Sequence, residues 1–224
     1  MKKLVIAIDG PAGAGKSTIG KELANRLGVP YFSTGGLYRA LAVKCLKFGL
    51  DARDEKVAEY IANSTQVDVK YDGQAQLIFL DGVDVSNEIY KDEVSDKASQ
   101  ISVHPVIRQK LVDIQRSLAE KQSIIMDGRD IGSVVLPNAN YKFYLDADVK
   151  VRAERRFQEL VKKGQNVTFE HILEEMIERD RRDKSRANSP LVICEDAHII
   201  DCSKLNISHV VDEFIKVIEK EEKL

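Results

Sequence analysis

The sequence has 224 residues, of which 43% are hydrophobic and 31% charged, and its 34 basic and 36 acidic side chains give a formal charge of −2. This composition provides enough apolar residues for a core and argues against global disorder, and the near balance of charge argues against a general nucleic-acid or membrane-surface binder. The three cysteines show no C-x-x-C spacing and no apolar run approaches the ~20 residues that span a bilayer, so we expect a cytoplasmic protein without a disulfide framework, a zinc site or a membrane partner.

The N-terminal part of the chain predicts two strand–helix pairs. Residues 4–8 form a continuous apolar run, which is typical of a strand buried on both faces of a parallel sheet. A glycine-rich turn follows, and a helical pattern then continues to Leu27. A short strand over residues 30–32 precedes a helix over residues 35–48.

The middle of the chain has a different pattern. Short β-like runs over residues 67–69 and 77–80, with Asp-Gly pairs as turns, predict a small antiparallel insertion. The predicted elements that follow are helices over residues 105–121, 149–163, 168–182 and 207–222, and strands over residues 123–126, 141–145 and 198–200. Strands that alternate with helices predict an α/β fold with a doubly wound parallel sheet.

A phosphate-binding motif lies between the first strand and the first helix. Residues 10–17 match G-x-x-x-x-G-K-[ST], in which glycines let successive N–H groups face phosphate oxygens and the helix N-terminus adds its positive dipole. Lys16 could reach the β- and γ-phosphates, and the Ser17 hydroxyl could bind Mg²⁺. The residues expected to bind ATP are Gly10, Pro11, Ala12, Gly13, Ala14, Gly15, Lys16, Ser17 and Thr18.

Charged residues after a later strand favour a kinase over a GTPase, because the chain has no N-K-x-D motif for guanine. Arg129 and Asp130 follow the predicted strand over residues 123–126, at the edge where ligands bind open α/β sheets. Asp127, at the end of this strand, could hold a water on Mg²⁺. An ordinary turn pair is the alternative interpretation of Arg129 and Asp130.

Two arginine-rich helices flank the glycine at position 164. The charged residues assigned to them are Arg152, Arg155 and Arg156 on the first helix and Arg179, Asp183 and Arg186 on the second. The second set is spaced four and three residues apart, which places it on one face if the helix continues that far. Such a hairpin could close over ATP, bring cations to the transferring phosphoryl group and exclude water. Solvated helix faces are the alternative.

Taken together, these residues resemble those of the bacterial cytidylate kinases, which are nucleoside monophosphate kinases. The resemblance runs nearly end to end. Its motifs are residues 8–18, Thr34-Gly-Gly-Leu-Tyr-Arg39, Met126-Asp-Gly-Arg-Asp-Ile-Gly132, residues 179–186 and Asp196-Ala197. The resemblance implies one P-loop kinase domain over residues 1–224, with an inserted monophosphate-binding subdomain at about residues 41–103 and a helical lid at about residues 152–186.

The resemblance also implies a reaction, in which the protein uses ATP and Mg²⁺ to phosphorylate CMP or dCMP. We expect a monomer, although the sequence itself does not give the oligomeric state. It assigns Thr34, Arg39, Arg129 and Arg186 to the acceptor phosphate, Ser99, Arg108 and Asp130 to cytosine, and Arg179 and Asp183 to the sugar. The residues predicted to be catalytic are Lys16, Arg129, Arg155, Arg156 and Arg186, and those predicted to hold the metal are Ser17 and Asp127.

One position departs from the family pattern in a way that leaves a role open. Ser33 stands where many members carry Asp, which removes a carboxylate near the phosphates. Two alternative functions also remain at this point. One is a P-loop kinase for another small molecule, such as UMP or shikimate, and the other is a P-loop nucleotide switch.

Overall fold

The structure, a computed structural model, describes residues 3–73, 75–204 and 206–222. Its strands are β1 (Val5–Asp9), β2 (Tyr31–Ser33), β3 (Val67–Asp72), β4 (Ala75–Leu80), β5 (Val83–Asp84), β6 (Ile124–Asp127), β7 (Tyr141–Asp146) and β8 (Ala197–Asp201). Its helices are α1 (Lys16–Leu27), α2 (Gly35–Lys47), α3 (Glu55–Ser64), α4 (Asp92–Ile101), α5 (Pro105–Lys121), α6 (Val149–Lys162), α7 (Phe169–Ser185) and α8 (Ile207–Glu222). Shorter turns are a 3-10 turn at Glu88–Tyr90 and a π-helical turn at Ile131–Val135.

The chain divides into two compact units. Unit one consists of the described residues within 1–29 and 125–224, and unit two of those within 30–124. The phosphate-binding motif, the residues after β6 and the helices α6 and α7 all belong to unit one. Across the described part of the chain, none of the helices is long and apolar enough to cross a membrane.

Unit one is built on a parallel sheet in which β6, β1, β7 and β8 lie side by side in this order. β1 pairs in parallel with β7, with Ile6 opposite Tyr141, and β7 pairs in parallel with β8, with Lys142 opposite Ala197. All five residues of β1 are buried, as expected of a strand covered on both faces. The predicted α/β class with a central parallel sheet is confirmed.

Helices cover the sheet of unit one and pack on one another. α1 packs against α8, and the Phe143 ring of β7 stacks on the Phe214 ring of α8 with centroids 3.9 Å apart. α6 packs against α7 around a small apolar cluster formed by Ala153, Leu160, Ile172 and Met176. The two helices therefore form a hairpin with its own hydrophobic contact.

Unit two contains the small antiparallel sheet that the sequence predicts. β3 pairs with β4 from Val67 opposite Leu80 to Asp72 opposite Ala75, and β4 continues into a short pairing with β5. α2 packs against α4 and β4, and α3 packs against α5. A buried ammonium joins helix and sheet, because Lys44 of α2 donates to the Asp81 carboxylate at 2.7 Å.

Candidate functional site

The backbone of the phosphate-binding loop passes very close to the sheet of unit one. Gly10 has φ +146°, and a Cβ at this position would lie 2.1 Å from the carbonyl oxygen of Leu145 in β7. Every other residue type has a Cβ and would displace the loop or the strand. The glycine therefore sets how the loop leaves β1.

Lys16 is buried inside the loop that precedes it. The residue is 5% exposed, and its ammonium donates to the carbonyl oxygens of Gly10 and Pro11, both at 2.7 Å. Burial lowers the pKa of Lys16 well below its ordinary value and the nearby Arg129 lowers it further, while nearby carboxylates, first that of Asp127, oppose this. An anion bound against Lys16 would favour its charged form.

Donors from two other elements hold further carbonyl oxygens of the loop. The Arg152 guanidinium donates to the carbonyl of Ala12 at 2.9 Å, and the Cys202 thiol donates to that of Ala14 at 3.0 Å. In a trans peptide the N–H of the following residue points opposite to the carbonyl. Because side chains of unit one bind these carbonyls, the N–H groups of Gly13 and Gly15 point the other way, as an anion-binding loop requires.

The N-terminus of α1 continues this arrangement. Its cap residue Gly15 has a left-handed conformation, no side chain caps the helix, and its first turn holds no acidic residue. The first N–H groups of a helix lack intrahelical partners and carry the positive end of the helix dipole. This end of α1 is therefore suited to bind phosphate.

Ser17 and Asp127 come together at the start of α1. The Ser17 hydroxyl donates to the Asp127 carboxylate at 3.0 Å, across 110 positions of sequence. A hydroxyl and a carboxylate are hard oxygen ligands of the kind that Mg²⁺ takes, directly or through water. The two residues predicted to hold the metal thus lie in contact and fit it chemically.

Asp9, the last residue of β1, holds the turn that follows β6. Its two carboxylate oxygens accept from the N–H groups of Ile131 and Gly132 at 2.8 and 2.7 Å. Burial raises the pKa of Asp9 to about 6, and these two N–H groups oppose that rise. The ionised form, with two acceptor oxygens, dominates at neutral pH and fixes the π-helical turn after Asp130.

Arg129 and Asp183 form a buried ion pair in unit one. The Arg129 Nε donates to an Asp183 carboxylate oxygen at 2.8 Å. Burial acts to lower the pKa of Arg129, but the Asp183 charge raises it above its ordinary value. Burial acts to raise the pKa of Asp183, but the charges of Arg129 and Arg179 hold it below its usual range. Both groups therefore stay charged at neutral pH.

Arg186 extends this ion pair into a network. It is the C-cap residue of α7, and its guanidinium nitrogens lie 4.0 Å from an oxygen of Asp183 and 3.8 Å from one of Asp130. α7 stops at Ser185, so Arg186 leaves the helix rather than continuing its face. The structure nonetheless brings Arg129, Asp130, Asp183 and Arg186 together in one charged cluster.

The hairpin of α6 and α7 is joined to the loop through one arginine. Arg152 is 4% exposed and binds the Asp180 carboxylate at 2.6 Å, in addition to the loop carbonyl of Ala12. The same guanidinium donates to the carbonyl of Ala147 at 2.8 Å. Arg152 therefore fixes the base of the hairpin, which the clustering of arginines in the sequence does not reveal.

Arg155 and Arg156 bind different neighbours. Arg155 donates to the carbonyl of Cys202 at 2.8 Å, in the segment that follows β8. Arg156 pairs with Glu159 at 2.9 Å on the same helix, with 29% of its side chain exposed. These contacts differ from those of the Arg129 cluster, and the catalytic role of both residues stays a prediction.

The candidate residues of unit two also form a group. Ser99 and Arg108 are joined through Ser102, whose hydroxyl donates to the carbonyl of Ser99 at 2.9 Å and whose carbonyl accepts from Arg108 at 3.2 Å. The Arg108 guanidinium lies 5.5 Å from the ring centroid of Tyr38, one helical turn beyond Thr34. Sequence reasoning gave no role to Ser102, or to Tyr38 within the motif at residues 34–39.

Thr34 and Arg39 lie at the start of α2. Thr34 is its N-cap residue, is 4% exposed and does not cap the helix through its hydroxyl. Arg39 donates to the carbonyl of Ile89 at 3.2 Å. Between them lies Gly36, where an added Cβ would lie 2.7 Å from Ile78 Cδ1 of β4, so the first turn of α2 packs closely on the small sheet.

Known structures share this fold. A shikimate kinase from Bacteroides thetaiotaomicron superposes with a TM-score of 0.51 at 12% identity, covering 96% of this chain and 98% of that chain. At this identity the likeness concerns the fold alone, and it supports the α/β architecture with a central parallel sheet.

Sequence relatives share a much higher identity with this chain than that structure does. The family model described as cytidylate kinase matches residues 6–220. The cytidylate kinase of Caldicellulosiruptor bescii is 46% identical over 225 aligned residues, with 99% of this chain and 100% of the relative covered. That of Caldanaerobacter subterraneus is 46% identical over 218, with 97% and 96% covered. Because the family model matches most of the chain and these relatives align over nearly its whole length, the chain belongs to the cytidylate kinase family.

Proposed function

We propose that this protein transfers the γ-phosphoryl group of ATP to CMP or dCMP and so forms ADP with CDP or dCDP. The observation that carries the proposal is the loop at residues 10–17, in which the carbonyl oxygens of Pro11, Ala12 and Ala14 are held by Lys16, Arg152 and Cys202, so that the N–H groups that follow them point the other way. Relatives named cytidylate kinase over nearly the whole chain support the choice of acceptor.

The ATP phosphates are bound in this proposal by the loop N–H groups, the N-terminus of α1 and Lys16. Ser17 and Asp127 hold Mg²⁺, which when bound neutralises developing charge on the phosphate oxygens. The hydrogen bond between these two side chains supports this assignment, because it orients a hydroxyl and a carboxylate at one point.

The residues assigned to the acceptor nucleotide in this proposal are those that the family resemblance implies. In unit one, Arg129 and Arg186 bind its phosphate, Asp130 recognises cytosine, and Arg179 and Asp183 bind the sugar. In unit two, Thr34 and Arg39 bind the phosphate, and Ser99 and Arg108 recognise cytosine. The burial of Asp130 and Arg108, 5% and 4% exposed, supports a role in recognition, since water competes little with a ligand at such groups.

The chemical step makes small demands on the protein. An oxygen of the acceptor phosphate attacks the γ-phosphorus, and the bond from that phosphorus to the bridging oxygen of ADP breaks. The attacking oxygen is already anionic, so no strong general base is needed. Alignment and cancellation of phosphate repulsion by Lys16, Arg129, Arg155, Arg156 and Arg186 supply the rate enhancement.

A coupled assay of ADP release across several acceptors tests this function. We expect rapid turnover with CMP and dCMP and little with UMP or shikimate. Preference for UMP or shikimate would identify a different kinase. Slow hydrolysis of ATP that is indifferent to every acceptor would identify a nucleotide switch instead. We also propose that the protein is a cytoplasmic monomer.

Residues 152–186 are proposed to act as a lid. The apolar contact between α6 and α7 and the ion pair from Arg152 to Asp180 would let the hairpin move as one body. Its closing would exclude water from the transferring phosphoryl group. Hydrogen exchange in α6 and α7 should therefore slow when a bisubstrate analogue binds.

The small sheet of unit two provides the internal control for this experiment. Hydrogen exchange in β3, and at residues 77–80 of β4, should change less than exchange in the α6–α7 hairpin. An unchanged exchange pattern in α6 and α7, with the analogue bound at saturation, would contradict a lid.

A further inference from the structure

Gln76, on β4, holds the main chain of Ser33 through both polar atoms of its carboxamide. The Ser33 N–H donates to Gln76 Oε1 at 2.8 Å, and Gln76 Nε2 donates to the Ser33 carbonyl oxygen at 3.3 Å. This exchange of two hydrogen bonds copies the pairing of an antiparallel ladder, with a side chain as one partner. The last residue of β2 is thereby fixed in position and in the orientation of its peptide groups.

The residues that follow Ser33 also pack closely against β4. Ser33 is followed directly by Thr34, the N-cap of α2. At Gly36, in the first turn of α2, a Cβ would lie only 2.7 Å from Ile78 Cδ1 of β4 and 3.6 Å from Gln76 Nε2. β4 therefore determines where β2 ends and where α2 begins, and Gln76 makes the polar contact that does so.

We propose that Gln76 is a positioning residue for the acceptor phosphate: through Ser33 it places Thr34, which itself touches the phosphate. The proposal rests on the proposed function, because that function assigns Thr34 to the acceptor. It also gives position 33 a role that does not need a side chain, since the structure uses the main-chain N–H and carbonyl of Ser33.

The chemistry of the pairing makes Gln76 hard to replace. Methionine has a similar length but supplies neither an amide donor nor a carbonyl acceptor. An ionised glutamate can still accept from the Ser33 N–H, but its second oxygen would face the Ser33 carbonyl, acceptor against acceptor. A protonated glutamate restores one acceptor and one donor.

The first test compares Gln76→Met with Gln66→Met in the full chain. Gln66 is an exposed glutamine of the same unit, so the substitution is matched. We expect Gln76→Met to raise the KM for CMP about five- to tenfold, the effect of losing such hydrogen bonds. The KM for ATP should change less than about twofold, and Gln66→Met should change neither.

The second test uses pH to separate positioning from general destabilisation. For Gln76→Glu, the KM for CMP divided by that of the parent protein at the same pH should fall as pH is lowered from 7 to 5, toward the ordinary glutamate pKa of about 4.3, because the protonated side chain restores the pairing. The same ratio for Gln76→Met should stay flat. Exchange of the Ser33 amide proton, followed by NMR, should be faster in Gln76→Met and normal in Gln66→Met.

The outcomes distinguish this inference from the function on which it rests. If the parent protein phosphorylates an acceptor other than CMP, the proposed function fails, and the same ratios measured with that acceptor test Gln76. If the parent phosphorylates CMP but Gln76→Met leaves its KM unchanged, or raises the KM values for CMP and ATP equally, Gln76 is not a positioning residue for the acceptor. Protection of the Ser33 amide that survives in folded Gln76→Met would overturn the pairing itself.

Discussion

Lys16→Ala is expected to lower kcat by about 10²–10³, the usual effect of losing one charged contact to a transition state. The proposed function places the ammonium against the β- and γ-phosphates, where negative charge is redistributed during transfer. Steady-state kinetics with CMP and ATP at saturation measure the loss. Lys121→Ala, which removes an exposed lysine at the end of α5, is the matched control and should keep the parent rate.

Folding must be separated from catalysis in this variant. Lys16 is buried, and its removal leaves the carbonyls of Gly10 and Pro11 without their donor, at a cost of about 1–3 kcal/mol each. Lys16→Met keeps the length of the side chain and limits the cavity. Both variants should unfold cooperatively with a lowered Tm, and near-parental turnover in either folded variant would refute the assignment.

The elements with local signals could be predicted from the sequence with small errors. α5 begins at Pro105 as predicted, because proline suits the first helical turn and needs no N–H partner. The buried run at residues 4–8 predicts β1 to within one residue, since a short, uniformly apolar run that ends at a glycine-rich turn is typical of a strand covered on both faces. The helix from Thr168 is longer than predicted and ends at Ser185.

The elements that sequence reasoning missed have weaker or more distant causes. α3 begins at Glu55, and the side chain of its N-cap residue Asp54 accepts a hydrogen bond from the Lys56 N–H; an N-cap aspartate is a local signal that sequence reasoning could have used. α4 has no side-chain cap. The π-helical turn at Ile131–Val135 depends on the Asp9 carboxylate, more than 120 positions earlier in the chain. A local pattern cannot contain such a partner.

The same distinction applies to the candidate site. The phosphate-binding loop could be found from its motif, because the backbone geometry it needs is encoded in three glycines within a span of six residues. The donors that orient its carbonyls could not be found in this way, since Arg152 and Cys202 lie far along the chain and no local motif marks them. The pairing of Asp183 with Arg129 likewise could not be predicted, because it joins α7 to the turn after β6, 54 positions away in the chain.

Asp130→Asn is expected to narrow the preference for CMP over UMP by at least about tenfold in kcat/KM, the equivalent of ~1.4 kcal/mol. Cytosine presents an amino donor at N4, which a carboxylate accepts, whereas uracil presents an acceptor at O4. The parent protein should therefore reject UMP by several powers of ten, because a buried carboxylate would face an acceptor without a proton between them. The amide of asparagine keeps the shape and can donate to O4.

A loss of activity in Asp130→Asn could come from the ion-pair network around Asp130 as well as from the base. The ratio of kcat/KM for CMP to that for UMP reports on the base alone. Asp130 lies 3.8 Å from the Arg186 guanidinium, so the substitution also weakens a contact of a residue proposed to bind the acceptor phosphate. CMP and UMP carry the same phosphate, and a loss through Arg186 therefore lowers both values of kcat/KM equally. Only a change at the base alters their quotient.

Asp180→Asn is the matched control for that quotient. It makes the same substitution at a carboxylate of unit one that also pairs with a buried arginine, Arg152, but that is not proposed to touch the base. It should lower kcat/KM for CMP and UMP in parallel and leave their quotient at the parental value. If Asp130→Asn behaves in the same way, Asp130 positions the phosphate or the metal through Arg186. If Asp130→Asn changes neither substrate, Asp130 lies outside the site, and cytosine recognition must come from Ser99 and Arg108 alone.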